Sequence, residues 1–497
     1  MQHPLCLGQM RSRRRPARHA AATAPTALPL LAVTTALLAG PVIAHPDSTP
    51  RQEPARPGLE PQPLTVESLG LTMHPPAGSR IQVQKVGQSV TVTLVDGAEI
   101  PAWSMRIQVM ASTLPDPSPA GQVEQLQQAW QAVGREYAVI SNTPVSIAGR
   151  DGQLCYLRHS LDDGQAVVVG WQVLPFAEGS FLVFGMQILP DDFPRARAAL
   201  ESSFSTIQLR PVSEIAGQRK TRLDAGQAVL AALTTDRLRT LLGPGQWLRY
   251  YMPARIMGAD SDRELGCMYV EFIEAKRGAI SPTRPEENYD PADHRLGLMA
   301  RVRGHIIDKP ANATIDSQAF YWMAWDQSEE RWSVQVTTRK GEKSSTDAQT
   351  GVRTPSSPSD PHGTITVIDS TAARTRDESA WHTPEVYLSQ PLRWALGRLL
   401  PRHDPAERVF SYYCFDGATS TLSLRIDRWG PADDASDHRV LKSQPKSDTP
   451  AIVTIYDRDG CLLHRTWADG SVSEPITLEA LHRLWKSKAL STEDLRR

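Results

Sequence analysis

Between residues 64 and 211 apolar and polar positions alternate in short runs, the period-two pattern of strands with one buried face. Ile81, Val83 and Val86, then Val90, Val92 and Leu94, then Met105, Ile107 and Val109 follow this pattern, with Asp96-Gly97 as a turn. After a Pro-rich turn at 115–119 the period changes to that of a helix: Val123, Leu126, Trp130 and Val133 share one face, and Gly134 ends it. Four further runs, at 138–148, 152–160, 165–174 and 180–189, are separated by Gly149, Asp151-Gly152, Asp163-Gly164 and Glu178-Gly179. Gly-containing turns between short alternating runs predict antiparallel hairpins. Asp191 and Asp192 are expected to cap a second helix, with Pro194 in its first turn, running to about Phe204. Thr206-Ile207-Gln208-Leu209 closes the unit, so the pattern predicts an α+β domain over 64–211.

From Val212 the texture changes. Leu223 to Leu242 reads as a helix, with Val229, Leu230, Leu233, Leu238 and Leu241 on its face and Gly243-Pro244-Gly245 at its end. Runs rich in β-formers follow at 247–256, 266–276, 297–307, 316–326, 331–339 and 363–369, then at 408–415, 420–428, 451–456 and 461–467. Segments 279–295, 341–362 and 430–449, rich in Pro, Ser, Asp or Gly, are expected as long peripheral loops. Gln390 to Leu400 predicts a short helix with Leu392, Ala395, Leu396 and Leu399 inward. Thr477 to Lys488 predicts another, with Leu478, Leu481, Leu484 and Trp485 inward and Lys486 and Lys488 at its C-terminal end. Many strands and few helices over 212–497 predict a curved antiparallel sheet or an open barrel.

In the first of these regions Leu71-Thr72-Met73-His74-Pro75-Pro76-Ala77-Gly78 is followed by Ile147-Ala148-Gly149-Arg150-Asp151-Gly152, a Gly170-Trp171 strand and Ser203-Phe204-Ser205-Thr206-Ile207. This set resembles the PsbP-like superfamily, including its exported DcrB-type bacterial relatives. The resemblance covers residues 64–211 and consists of turn and packing signals without chemistry. It implies an α/β/α sandwich around an antiparallel sheet and a binding or accessory role, with no catalytic residue or cofactor. Fold alone carries no specific function across. Residues 212–497 resemble no family.

The N-terminus changes the picture. Arg11, Arg13, Arg14, Arg15 and Arg18 precede an apolar run from Leu28 to Leu38, and Val42-Ile43-Ala44 follows. A basic region, an apolar region and small residues before a cut form an export signal, expected to be cleaved near Ala44 or else kept as an anchor. The run is shorter than the roughly 20 residues of a spanning helix. A Pro-rich stretch over 45–63 reads as a linker. The expected location is the periplasm or the medium, with no transmembrane segment in the mature chain.

Loss of residues 1–44, which takes five Arg from 54 basic residues and nothing from 55 acidic ones, leaves a net charge of −6. No basic stripe remains for phosphate neutralisation, so nucleic acid is excluded as a partner. Cys155, Cys267, Cys414 and Cys461 match no zinc or redox spacing. Two accounts stand: free buried thiols, or a Cys414–Cys461 bridge.

Candidate chemistry is sparse. Asp457-Arg458-Asp459-Gly460 resembles the opening of a calcium loop, but Cys461, Leu462 and Ala468 stand where such a loop needs a ligand, a Gly and a Glu. It is therefore expected as a hairpin turn. Asp290-Pro291-Ala292-Asp293-His294 and His403-Asp404 bring carboxylate and imidazole together, yet lie in polar loops without a metal or nucleophile motif. The run Phe320-Tyr321-Trp322-Met323-Ala324-Trp325 is apolar on both faces of a strand. Either a helix covers the second face, or that face lines an apolar cavity, with Tyr321, Trp322 and Trp325 as its candidate wall.

These patterns lead to an exported, non-catalytic binding or accessory protein of the bacterial cell envelope, with no cofactor or metal and a protein or envelope component as partner. A periplasmic carrier of a lipid-like apolar ligand in the C-terminal sheet is the alternative. A hydrolase with a site assembled from distant residues is the third reading.

Overall fold

The computed structural model describes residues 58–492, except 87–88, 133–135, 161–165, 310, 355–362, 372–375, 403–405, 418–419, 433–436 and 446–448. The leader, most of the Pro-rich linker, Gly134, Asp163-Gly164 and His403-Asp404 lie outside the described residues.

Alternation becomes strand where one face can be buried. The first part of the chain forms β1 (Leu64–Val66), β2 (Leu71–Met73), β3 (Arg80–Val86), β4 (Ser89–Val95), β5 (Trp103–Ala111), α1 (Pro119–Ala132), β6 (Tyr137–Ile147), β7 (Arg150–Ser160), β8 (Ala166–Ala177), β9 (Ser180–Ile188), α2 (Phe193–Phe204) and β10 (Gln208–Leu209). Seven strands build one antiparallel sheet in the order β3-β4-β5-β9-β8-β7-β6. Its two faces are covered separately. Val123, Leu126 and Trp130 of α1 pack on Cys155, Leu157, Val169 and Val173. Ala196, Leu200 and Phe204 of α2, with Val66, Leu71 and Met73, cover Leu154, Tyr156, Phe184 and Met186 on the other. Helices on both faces of an antiparallel sheet agree with the sandwich expected here. Asp192 makes no side-chain cap to α2; its carboxylate instead pairs with Arg195 at 2.7 Å.

The chain continues through α3 (Val212–Ala231), α4 (Thr235–Arg239), β11 (Gly243–Met252), α5 (Ala254–Met257), β12 (Arg263–Lys276), β13 (Leu296–Asp308), β14 (Ala313–Ala324), β15 (Glu330–Lys340), β16 (Lys343–Arg353), β17 (Thr364–Ser370) and β18 (Arg376–His382). It then forms α6 (Gln390–Leu399), β19 (Arg408–Asp416), β20 (Thr421–Pro431), β21 (Arg439–Gln444), β22 (Ile452–Tyr456), β23 (Leu462–Thr466), β24 (Val472–Ile476) and α7 (Leu478–Ser487). Two meanders, β11 to β18 and β19 to β24, join where β24 pairs with β11. The result is a curved 14-stranded antiparallel sheet with β18 and β19 as its edges. The whole is a β-rich α+β fold.

The two edges approach without closing. Trp381 of β18 meets Phe415 of β19 with ring centroids 5.6 Å apart. Between them Leu388 N–H donates to the Tyr413 carbonyl and Tyr413 N–H to the Val386 carbonyl, each at 2.8 Å. The following helix, α6, lies inside the curve. Leu392, Ala395, Leu396 and Leu399 touch Leu298, Ala300 and Met323 from one half of the sheet and Phe410, Tyr412, Trp429 and Tyr456 from the other. Glu330, fully buried, holds its start: Oε2 accepts from Gln390 N–H at 2.9 Å and Oε1 from the Tyr387 hydroxyl at 2.5 Å.

Several sequence expectations are corrected. The helix expected over 223–242 begins at Val212, and its first half escaped reading because most of the half-buried positions there, Gln218, Arg219 and Arg222, are polar. It breaks after Ala231, where the Thr234 side chain caps the short α4. Gly243-Pro244-Gly245 opens β11 instead of ending a helix. The loop expected at 341–362 contains β16, whose polar sequence pairs with β15 from Glu330↔Arg353 to Lys340↔Lys343 around Gly341 at φ 58°. Within 430–449, β21 pairs on both sides. The edge strand β18 went unread because it is charged, as edges that must not recruit another chain often are. Leu478, expected inward on α7, is 37% exposed, whereas Leu481 and Trp485 are fully buried.

A close approach fixes α3. A Cβ added at Gly226 would lie 2.1 Å from the Ser411 carbonyl oxygen of β19, while Gly217 on the same helix faces open space. Gly226→Ala is expected to cost about 1–3 kcal/mol by forcing the helix off the strand. Gly217→Ala is expected to add up to about 1 kcal/mol from helix propensity. Urea unfolding midpoints of the two variants should therefore move in opposite directions.

Candidate functional site

The aromatic run of β14 is buried on both faces, but the two covers differ. Phe320, Trp322 and Ala324 pack against Ala275, Met299, Ala279 and Ile280. A short 3-10 helix, Arg277–Ile280, covers this face and not one of the α-helices. Trp322 is fully buried and its indole N–H donates to the Ala275 carbonyl at 3.0 Å, so it lines no cavity. Tyr321, Met323 and Trp325 turn toward the core around α6. Trp325 is held at the end of β14, with its N–H on Glu274 Oε2 at 3.1 Å and the Arg239 guanidinium 5.3 Å from its ring. The three candidate residues are thus not brought together, and only Tyr321 faces a cavity.

That cavity, about 180 Å³, lies between α6 and the strands β19 to β23. Tyr321, Trp394, Tyr456 and Trp467 supply aromatic wall, and Arg393, Arg425 and Arg465 supply charge. Burial raises the hydroxyl pKa of Tyr321 against the opposing charge of Arg393. It does the same to Tyr456 against Arg465 and Arg425. Arg425, 8% exposed, donates from Nε to both oxygens of the fully buried Asp427 at 2.8 and 3.0 Å, and from Nη2 to Ser443 Oγ at 3.0 Å. Burial works against its charge, and Asp427 more than restores it. Arg465, by contrast, is lowered by burial and by neighbouring Arg425. Sequence patterning missed these arginines because Arg425 and Arg465 sit at inward positions of alternating strands and look like ordinary charged positions of a solvent face.

A second constellation lies among strands β11 to β15. Cys267, His305 and Asp316 stand directly opposite one another on β12, β13 and β14. His305 Nδ1 is 2.7 Å from Asp316 Oδ1, and Arg339 also pairs with Asp316. Nucleophile, imidazole and carboxylate in a row invite comparison with a catalytic triad. The thiol argues against it: burial and the charge of Asp316 push Cys267 up to about 12. Only 3% exposed, it packs with Leu481 and Trp485 of α7. A thiol so held supplies little thiolate. No sequence spacing signals this row, because strand register alone creates it.

The loop motifs resolve into structure. Asp290 and Asp293 form a capping box at a short turn over Pro291–His294. Asp293 pairs with Arg277 at 3.0 Å and Arg284 at 2.6 Å, and Arg277 also reaches Glu329 at 2.9 Å. This network fastens the 279–295 segment over Trp322. Asp457-Arg458-Asp459-Gly460 is the expected turn: Asp457 Oδ1 accepts from the N–H groups of Asp459 and Cys461, and Gly460 has φ 80°. The four cysteines among the described residues are free, with Cys155, Cys267 and Cys414 buried and Cys461 exposed. The Cys414–Cys461 bridge is absent, since β19 holds one in the core while the other ends a surface turn. Among the described residues no helix is long and apolar enough to cross a membrane.

No family model and no curated protein matches the chain. Solved structures similar to it include cyanobacterial PsbP (CyanoP) from Synechocystis, at 14% identity and TM-score 0.26 over 34% of this chain and 100% of that one. A Pseudomonas aeruginosa protein of unknown function, PA94, is 14% identical with TM-score 0.22 over 27% of this chain and 99% of its own. A β-barrel-like protein of the DUF1849 domain from Brucella abortus is 11% identical with TM-score 0.28, covering 48% of this chain and 97% of its own.

Burial tends to raise the Asp293 carboxyl, but its hydrogen bonds and the charges of Arg277 and Arg284 outweigh this and hold it below its usual 3.8. Its stabilising contribution is therefore present above pH 3.8 and is lost as pH falls through the lower folded value. Asp293→Asn should cost about 3 kcal/mol near neutral pH. That difference from the parent should shrink below pH 3.8 in a series of thermal melts. Thiol titration with a chromogenic disulfide should detect Cys461 in the native protein, and Cys155, Cys267 and Cys414 only after denaturation.

Proposed function

We propose that this chain is an exported, non-catalytic binding protein of the bacterial cell envelope that holds a small ligand inside its 14-stranded sheet. One observation carries the reading: a cavity of about 180 Å³ remains between α6 and β19 to β23, walled by aromatic rings with a few convergent polar groups. That combination is the usual make-up of a ligand site. The leader-like N-terminus supports export, and the buried, protonated Cys267 speaks against acyl transfer at the Cys267–His305–Asp316 row.

A lipid-sized occupant fits less well. Drug-sized ligands take pockets of roughly 300–1,000 Å³. Here α6 occupies the interior that an open half-barrel would offer to an acyl chain. The apolar-carrier alternative would require α6 to leave its seat.

Expression of the full chain with its leader, followed by cell fractionation and native mass spectrometry, tests the reading. The expected product is periplasmic, shortened by about the first 44 residues, and carries a non-covalent adduct of small-molecule mass. A full-length cytosolic product, or a periplasmic protein that retains no adduct and gains none from a metabolite extract, would count against it.

A further inference from the structure

The charge balance of the interior cavity is incomplete. Of its three guanidinium groups, only Arg425 has a carboxylate within 4.0 Å among the described residues, namely Asp427. Arg393 donates from Nη1 to Gln390 Oε1 at 3.0 Å and to the Phe415 carbonyl at 2.5 Å, both neutral acceptors. Glu330 feels the charge of Arg393 but is engaged by Tyr387 and the Gln390 N–H, with Arg353 4.0 Å away. Arg465 donates from Nε to Thr454 Oγ1 at 3.3 Å and lies 5.5 Å from the centre of the Trp467 ring. Two positive charges therefore face one small space without a counter-charge. Both groups are half-buried and exchange part of their hydration for neutral partners only, a loss that a bound anion would offset. The guanidinium fork matches a carboxylate or phosphate in two parallel hydrogen bonds.

We propose that the cavity is a site for a small organic anion, a carboxylate or phosphate ester whose charged group is taken by Arg465 and Arg393 and whose apolar body lies against Trp394 and Trp467. Size limits the body to about one ring: the volume of 180 Å³ is close to the roughly 150 Å³ of an apolar cavity that accepts benzene. The inference rests on reading this cavity as the ligand site, and it adds the sign of the ligand's charge and its dimensions.

Isothermal titration of the purified full chain with benzoate, phenyl phosphate and uncharged benzyl alcohol tests it. At least one anion should bind more than about tenfold tighter than the alcohol, the margin of one charged hydrogen-bonded contact. Whichever of benzoate and phenyl phosphate binds tighter identifies the group. Arg465→Met should cut the preference for the anion over benzyl alcohol about tenfold, and Arg465→Lys should restore part of it; an unchanged preference in Arg465→Met would overturn the role of Arg465. Equal affinity of the unmodified chain for the anions and the alcohol would overturn the anion inference and leave interior binding standing. Failure of all three probes to bind would overturn both.

Discussion

Insertion of one helix between the two halves of the large sheet is the constraint on which the rest depends. A 14-stranded sheet with two free edges has an apolar concave face too wide to fill itself, and α6 supplies the missing layer. The chain delivers it there directly, since α6 connects β18 to β19, the two edges that must come together. Its start is fixed by Glu330, a carboxylate accepting a backbone N–H at a helix N-terminus, the place where negative charge is most favourable. Burial nonetheless raises the Glu330 pKa, against the opposing influence of Arg353 and its hydrogen bonds, so the anchor is maintained under tension between desolvation and pairing. On the opposite side, a Cβ added at Gly397 would lie 2.2 Å from the Tyr456 ring, which makes glycine the residue that lets helix and strand meet.

The same insertion creates the candidate site. A helix is narrower than the trough it fills, and the space left beside β19 to β23 takes its character from whatever side chains point inward there. Those include arginines as well as rings, which distinguishes this interior from the dry apolar pocket of a lipid carrier. Elsewhere the protein shows how it treats a buried guanidinium when only structure is at stake. Arg277 meets Asp290, Asp293 and Glu329, and Arg249 meets Asp262, Glu264 and Glu474. Arg393 and Arg465 instead have neutral partners, Gln390 and the Phe415 carbonyl for the first and Thr454 for the second.

Much of the architecture was legible where burial imposes a period. The runs at 138–148 and 180–189 became β6 and β9 with small shifts, and the doubly apolar run of β14 announced that both its faces are covered. Strands lacking that imprint were missed. β16 and β18 are strands because their neighbours offer free backbone groups, and most of their own side chains are polar or charged. The first half of α3 was missed because most of its half-buried positions, Gln218, Arg219 and Arg222, are polar and leave no apolar period to read.

Local sequence determined which segments are apolar, where turns fall and that one strand must be sandwiched, because each depends on neighbours a few residues apart. It could not decide which partner covers each face of that strand, since a short 3-10 helix tied down by Arg277 serves one face as well as α6 serves the other. Nor could it place Arg393, Arg425 and Arg465 around one space, or align Cys267 with His305 and Asp316. Those juxtapositions come from sheet register and from the seat of α6, and register is a property of pairs of strands that no single strand contains.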